Sequence, residues 1–273
     1  MVELAYCAYK KIEVIMYLCV DVGNSQIHCG VFTTRGELQV QFRYNTSQFG
    51  SSDQFAVFLL QVLRENDIDP PSISRVAIAS VVPSIDYSIA SAFVKYFNVT
   101  PLFLQPGIKT GIKISSNNPA EIGADLIAGA LGGITAYAGK HLLIFDFGTA
   151  TTLIYINPQA EFIGGAVLPG LRLMMESLQH NTAKLFTVNI SAPKQAISKD
   201  TRAAIQSGLY YTQIGAAREL VNRVINENNI PRDEMVVIAT GGFAGLLNSD
   251  NVFDVIIPEL VLTGLFQIIL LNS

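Results

Sequence analysis

Apolar segments with strand and helix periodicity alternate through the first half of the chain. Strands are predicted at 17–21, 27–32, 37–44 and 75–82, and helices at 53–66 and 84–97. Ser52 or Asp53 is the expected N-cap of the first helix. A strand, a hairpin, a helix, a strand and a helix in that order predict an α/β unit with a mixed sheet.

The second half repeats this order of elements. Strands are predicted at 141–146, 151–156, 161–167 and 234–240, helical segments at 170–180, 200–228 and 244–248, and a buried C-terminal helix at 261–271. No low-complexity linker separates the halves. We therefore expect two related lobes that share a cleft and a hinge.

An Asp-x-Gly turn with small polar residues follows a strand in each half. Asp21 opens the turn Asp-Val-Gly-Asn-Ser, and Asp146 opens Asp-Phe-Gly-Thr-Ala-Thr-Thr. Glycine lets backbone N–H groups approach an anion closely, and an aspartate can hold a cation that offsets phosphate charge. The recurrence of the turn favours two lobes that close on a nucleotide over a pair of ordinary Asp-Gly turns.

Composition limits the class of protein. Hydrophobic residues make up 50% of the 273 residues and charged residues 15%, with a mean hydropathy of +0.37. Much surface should therefore be buried in a core or a subunit interface, and we expect an oligomer. The net charge of −4, without a run of Lys or Arg, argues against a nucleic-acid partner.

Cysteine usage and apolar run length bear on the compartment. Cys7, Cys19 and Cys29 show no metal-binding spacing, which indicates a reducing compartment, so we expect a cytoplasmic protein without structural zinc. The apolar run at 261–271 is too short to span a bilayer, so no membrane partner is expected. Residues 1–15 make a poor signal peptide, and a translation start at Met16 would make them an extension without function.

The order of elements and three glycine-bearing turns resemble the actin-like ATPase superfamily. The turns are Asp21 to His28, Asp146 to Thr152, and Ala239 to Gly242. The resemblance implies an α/β fold of two ribonuclease-H-like lobes with mixed sheets and a nucleotide cleft between them. The expected lobes are 16–130, completed by a C-terminal helix at 259–273, and 131–258.

Further motifs narrow the resemblance to the type III pantothenate kinases. They are Gln105-Pro-Gly-Ile-Lys-Thr-Gly111, Asn118-Pro-Ala-Glu-Ile-Gly-Ala-Asp125, Asp146-Phe-Gly-Thr-Ala-Thr-Thr152, Gly164-Gly-Ala-Val-Leu-Pro-Gly170, and Thr201 with Gln206-Ser-Gly208. They occur in the family's order from about Met16 to the C-terminus. The resemblance implies transfer of the γ-phosphoryl group of ATP to the primary hydroxyl of pantothenate, the first step towards coenzyme A.

The resemblance also implies roles for individual residues. Asp125 is the general base, Asp146 holds a monovalent cation (K⁺ or NH₄⁺), and Asp21 faces the phosphates through Mg²⁺ or water. The expected ATP contacts are Asp21, Val22, Gly23, Asn24, Ser25, Gln26, Ile27, His28 and Thr149. The expected pantothenate contacts are Ser116, Gly123, Ala124, Asp125, Leu126 and, from the neighbouring subunit of a homodimer, Thr201.

Structural alternatives exist for two of these residues. Asp125 is also a candidate N-cap of the helix that begins near it, and Thr201 of the long helix at 200–228. The chain departs from the family pattern at Leu126, usually Arg, at Ser116, often aromatic, and at Ile154, usually acidic. A nucleotide-binding homologue without turnover, or a kinase for another small alcohol, therefore stay open as alternative functions.

Overall fold

The computed structural model describes residues 15–115 and 118–273. The strands are Met16–Val22 (β1), Gln26–Thr33 (β2), Leu38–Asn45 (β3), Ile73–Ser80 (β4), Leu102–Phe103 (β5), Lys113–Ile114 (β6), His141–Phe147 (β7), Ala150–Ile156 (β8), Glu161–Pro169 (β9), Met235–Thr240 (β10) and Val255–Ile256 (β11). The α-helices are Ser52–Glu65 (α1), Pro83–Phe97 (α2), Ala124–Ala136 (α3), Leu171–Asn181 (α4), Thr201–Asn228 (α5) and Leu260–Leu271 (α6).

The strands form two sheets with the same central arrangement. Within the described residues, the first sheet has the order β3-β2-β1-β4-β5 and the second β11-β10-β7-β8-β9-β6. β1 pairs antiparallel with β2 and parallel with β4, and β7 pairs antiparallel with β8 and parallel with β10. The predicted pair of mixed sheets is confirmed, because each half places a hairpin beside a parallel strand.

Strand alternation sends side chains of each sheet into two different cores. On one face of the first sheet, Leu18 and Val20 pack with helices α1 and α2, whereas Cys19 on the other face packs with α3 and α6. The second sheet packs one face against α4 and α5, and its other face, through residues such as Ile144, against α3 and α6. Helices α3 and α6 therefore lie between the two sheets.

Glycines let α3 and α6 approach closely. A Cβ atom on Gly264 would lie 1.8 Å from the backbone oxygen of Ala128, and one on Gly132 would lie 2.2 Å from that of Leu260. These distances are below any real carbon–oxygen contact, so only glycine permits this spacing. Since both helices contact the apolar clusters of both sheets, the division into lobes 16–130 and 131–258 stays a prediction.

Most predicted elements are present, with shifted ends. The strand predicted at 75–82 begins two residues earlier, at Ile73, and the short strands β5, β6 and β11 were not predicted. The predicted cap of α1 is wrong by one position, because Ser51 accepts from the backbone of Gln54 in a reciprocal capping box.

Among the described residues, no helix is both long and apolar enough to cross a membrane. Cys19 and Cys29 are buried free thiols. Cys7 and the rest of residues 1–14 lie outside the described part of the chain.

Candidate active site

The alternation that builds the two cores also turns two aspartates towards each other. On β1, Asp21 lies on the same face as Cys19, which packs against the central helices. On β7, Asp146 lies on the face of Ile144, which packs against the same helices from the other side. Both carboxylates therefore stand at the carboxyl ends of their strands, on the inner faces of the two sheets.

A cavity of about 650 Å³ lies between these strand ends. Its walls come from both lobes: Asp21, Gly23, Asn24, Ser25, Gln26, His28, Arg43, Asn45, Ser47, Val81, Asp125, Asp146, Phe147, Gly148, Thr149, Ala150, Thr152, Arg172, Thr240, Gly241, Gly242, Phe243, Pro258 and Val261. All three glycine-bearing turns identified in the sequence contribute to this lining.

Three carboxylates line the cavity, and burial raises the pKa of each. Burial raises the pKa of Asp21 well above its usual range, and the nearby charges of Asp125 and Asp146 raise it further. Burial, helped by Asp125, raises the pKa of Asp146 to about 6. Burial also raises the pKa of Asp125. The Arg43 guanidinium opposes the shifts of Asp21 and Asp146. The three carboxylates therefore favour the binding of cations, and each is a better proton acceptor than an exposed aspartate.

Hydrogen bonds shape the turn from Asp21 to His28, which we call the first loop, and join it to the turn from Asp146 to Thr152, the second loop. The Gly23 N–H donates to the Gln26 carbonyl at 3.0 Å, and the Thr46 hydroxyl donates to the Gly23 carbonyl at 2.7 Å. Across the cleft, the hydroxyl oxygens of Ser25 and Thr149 lie 2.8 Å apart. The two loops therefore meet through a pair of hydroxyl groups that can also bind phosphate oxygens.

Two glycines, Gly241 and Gly170, allow neighbouring backbone to pack closely against the second loop. Gly241 has a φ of +89°, and a Cβ atom there would lie 2.3 Å from Oδ1 of Asp146. A Cβ atom on Gly170 would lie 2.2 Å from the backbone oxygen of Thr149. Side chains at either position would displace the loop that carries Asp146 and Thr149.

Asp125 lies in the first turn of α3, and its carboxylate is held by the backbone. The Leu126 N–H donates to Oδ1 of Asp125 at 2.8 Å. A Cβ atom on Gly123 would lie 2.4 Å from the same Oδ1, so glycine leaves room for this orientation. The N-cap position belongs to Gly123, so the alternative of Asp125 as the N-cap is wrong.

The structure adds polar residues that the sequence reasoning missed. Arg43, Asn45 and Ser47 from β3 and the segment after it line the first lobe's side of the cavity, and Arg172 lines the other side. The sequence signal for Arg43 and Asn45 is the alternation of apolar and polar residues along β3. Phe42 and Tyr44 pack into the outer core, which leaves Arg43 and Asn45 on the inner face.

Several predicted site residues do not line the cavity with their side chains. Val22 and Ile27 are fully buried in the outer core of the first lobe. Gly123 and Ala124 are half-buried beside Asp125. Thr201 is exposed at the start of α5, and Asp200, whose carboxylate accepts from the Ala203 N–H, is the N-cap that was assigned to Thr201.

Two of the positions that depart from the family pattern lie in one apolar cluster. Leu126 packs against the cluster that contains Ile154, Ile144 and Leu142, and Leu126 does not line the cavity. Ser116, the third departure and a predicted substrate contact, lies outside the described residues.

The oxygen donors of the cavity suit a cation that is also bound by substrate phosphates. Among residues 15–115 and 118–273, no group of three or more His, Cys, Asp or Glu side chains is close enough to hold a metal ion. Magnesium in kinase sites is bound by one or two carboxylates together with substrate phosphates. Asp21 and Asp146, with pKa values raised by burial and neighbouring carboxylates, fit that chemistry.

The duplicated mixed sheets, with Asp-x-Gly loops facing one cleft, define the actin-like ATPase class of folds. A solved protein from Sinorhizobium meliloti, described as a 2-dehydro-3-deoxygalactonokinase, has a TM-score of 0.58 at 13% identity, covering 93% of this chain and 95% of its own. One from Campylobacter jejuni, assigned to the Baf family of transcriptional activators, has a TM-score of 0.57 at 19% identity, covering 93% and 98%. These likenesses show the fold.

Within that class, the chain belongs to the type III pantothenate kinase family. The family's sequence model matches residues 17–223. The type III pantothenate kinase of Legionella pneumophila (strain Paris) is 44% identical over 258 residues, which is 94% of this chain and 100% of that protein. Type III pantothenate kinase 1 of Francisella tularensis subsp. holarctica is 43% identical over 250 residues, covering 92% and 97%. The family resemblance drawn from the motifs is confirmed.

Proposed function

We propose that the protein catalyses ATP-dependent phosphorylation of the primary hydroxyl of pantothenate to 4′-phosphopantothenate, the first step of coenzyme A biosynthesis. The observation that carries this proposal is the convergence of Asp21, Asp125 and Asp146 on one cavity between the lobes. Family membership supplies the substrates, and the cavity supplies a place where a triphosphate and an alcohol can meet a base.

Asp125 is the proposed general base. Its carboxylate accepts the proton of the pantothenate hydroxyl as that oxygen attacks the γ-phosphorus, and ADP leaves with the electrons of the broken P–O bond. The hydrogen bond from the Leu126 N–H to Oδ1 holds the carboxylate in place at the start of α3. The raised pKa of Asp125 makes it a stronger base than an exposed aspartate.

The residues of the first loop and Thr149 are the proposed ATP contacts. Gly23, Asn24, Ser25, Gln26 and His28 line the cavity with Thr149, whereas Val22 and Ile27 can contribute only backbone groups because their side chains are buried. The hydroxyl pair of Ser25 and Thr149 then offers donors from both lobes to the phosphate chain.

We assign the cations to the two loop aspartates. Asp21 faces Mg²⁺ held with the nucleotide phosphates, and Asp146 holds a monovalent cation, K⁺ or NH₄⁺. Such cations neutralise phosphate charge that three carboxylates would otherwise repel. The acidity of the lining supports this assignment.

The acceptor side is proposed to use both subunits of a homodimer. Gly123, Ala124, Asp125 and Leu126 form the start of α3, and Ser116 precedes them in the chain. Thr201 is exposed and does not line its own cavity, so a second copy is needed for it to reach a substrate.

Neither alternative function is favoured by the comparisons, because the relatives covering more than nine tenths of this chain are named as type III pantothenate kinases.

A cytoplasmic location is proposed in keeping with the buried free thiols Cys19 and Cys29.

The test of this function is ATP consumption with and without pantothenate. Asp125→Asn should lower pantothenate-stimulated turnover by about 10²–10⁴, because it removes general-base assistance, while ATP binding persists. Asp53→Asn is the matched control, since Asp53 is also the second residue of a helix but lies exposed outside the cavity. Turnover by wild type only with another alcohol, or full activity of Asp125→Asn, would contradict the proposal.

A further inference from the structure

Arg43 projects into the cavity through strand register. In β1 and β2, Asp21 lies opposite His28, and in β2 and β3, His28 lies opposite Arg43. Residues opposite one another in antiparallel strands project from the same face. Arg43 therefore stands two strands away from Asp21, the aspartate that opens the first loop, on the same inner face.

The side chain of Arg43 has no structural partner. Among residues 15–115 and 118–273 it makes no hydrogen bond or ion pair, although it is electrostatically coupled to Asp21, Asp146 and His28. Two other arginines, by contrast, pair with carboxylates: Arg223 with Glu219, and Arg232 with Asp254. The donors of this guanidinium are thus available to a ligand in the cavity.

The His28 imidazole, which lies between Arg43 and Asp21, does not supply a cation to a ligand in the cavity. Nε2 of His28 lies 2.9 Å from Oε1 of Gln41, so the ring donates to the amide oxygen. Burial, with the Arg43 charge, lowers the pKa of His28 to about 4, and the ring is neutral near neutral pH. Within the described lining, Arg43 and Arg172 are then the cationic side chains, set against three carboxylates.

We propose that Arg43 binds the phosphate chain of the nucleotide from the wall of the first lobe. This inference rests on the proposed function for the identity of the ligand as a nucleoside triphosphate. A guanidinium presents a planar fork of donors that matches two phosphate oxygens, and such charge-assisted pairs are stronger than neutral ones. Arg43 brings this cation to an anion that would otherwise face Asp21, Asp125 and Asp146.

The experiment is calorimetric titration with ATP and with adenosine, in buffer containing Mg²⁺ and K⁺ but no pantothenate. Arg43→Ala should weaken ATP binding by about tenfold to a hundredfold, while adenosine binding, which involves no phosphate, stays unchanged. Arg43→Lys should fall between, because it keeps the charge and loses the fork.

Arg35→Ala is the matched control, because Arg35 is an exposed arginine of the turn before β3 that does not line the cavity, and it should bind ATP as wild type does. Unchanged ATP affinity in Arg43→Ala would overturn the inference, as would a parallel loss of adenosine binding. If Arg43→Ala fails to fold, the same two readouts on Arg43→Lys decide. If wild type binds ATP but does not phosphorylate pantothenate, the proposed function fails while this titration still tests Arg43.

Discussion

At the scale of single residues, the site is built from carboxylates held where folding alone would disfavour them. Asp21 and Asp146 lie near the ends of strands whose central residues are buried apolar side chains, and each is half-buried on the inner face. Their raised pKa values show that the ionised forms lack sufficient compensation from the protein. Cations bound with the nucleotide would provide that compensation. Without them, the buried carboxylates lower the stability of the nucleotide-free protein.

Stability of the nucleotide-free protein should therefore depend on Asp146 and pH. Because folding raises the pKa of Asp146 to about 6, the native state holds more protons than the unfolded chain between the usual aspartate pKa and pH 6. The unfolding free energy should fall as pH rises through that window. Asp146→Asn should stabilise the protein above pH 6 by on the order of 2 kcal/mol and flatten the dependence.

Urea unfolding at about pH 4.5 and about pH 7 measures this effect. Asp53→Asn is the control, since it removes an exposed carboxylate and should leave the pH dependence as in wild type. Asp21 and Asp125 are shifted in the same direction, so some dependence should remain. An Asp146→Asn variant that loses stability with pH as steeply as wild type would disprove the assignment.

At the scale of elements, helices α3 and α6 connect the cores to the chemistry. They occupy the layer between the sheets, and α3 begins with the segment that carries Asp125. Their glycine contacts set the spacing between the helices, and so the position at which α3 presents the carboxylate. Packing in this layer should therefore affect both stability and the geometry of the site.

Gly264→Ala should destabilise the protein by about 1–3 kcal/mol, because the added methyl group would overlap the Ala128 carbonyl and push the helices apart. The control is Gly215→Ala in α5, where no atom lies within 4 Å of the added Cβ. That substitution should raise stability by about 0.5–1 kcal/mol through helix propensity alone. Denaturant unfolding of both variants tests the contrast, and equal effects would refute close packing as the reason for Gly264.

At the scale of the whole molecule, the two lobes form one cleft, and the proposed acceptor site needs more than one chain. Thr201 lies exposed at the start of α5, outside the lining of the cavity of its own subunit. The N-cap role that offered a structural reason for Thr201 belongs to Asp200. Whether Thr201 acts in the site of the partner subunit can be measured directly.

Mixing Asp125→Asn with Thr201→Ala subunits tests whether Thr201 acts across subunits. A mixed dimer would contain one site with both an intact Asp125 and an intact Thr201 from its partner. At low pantothenate, if loss of Thr201 costs about tenfold, random reassociation should raise activity about fivefold over the unmixed proteins. Activity equal to the average of the two separate variants would show that Thr201 does not act across subunits.

Local pattern predicted most of the elements and part of the site. Periodicity located the long strands and helices, and the repeated Asp-x-Gly turns located Asp21 and Asp146 at strand ends. Short strands such as β5 and β11 were missed, because two residues carry no periodicity. The cap of α1 was misplaced because Ser51, Ser52 and Asp53 are all acceptable N-cap types.

By itself, the sequence determined two related α/β halves, their acidic glycine turns and membership of the family, because these depend on residues close together in the chain or on motifs in a given order. Only the tertiary structure decided that Arg43 and Arg172 join the same cavity from opposite lobes, and that Leu126 packs with Ile154 away from it. Those neighbours are fixed by strand register and helix packing between distant segments, and such long-range contacts leave no local pattern to read.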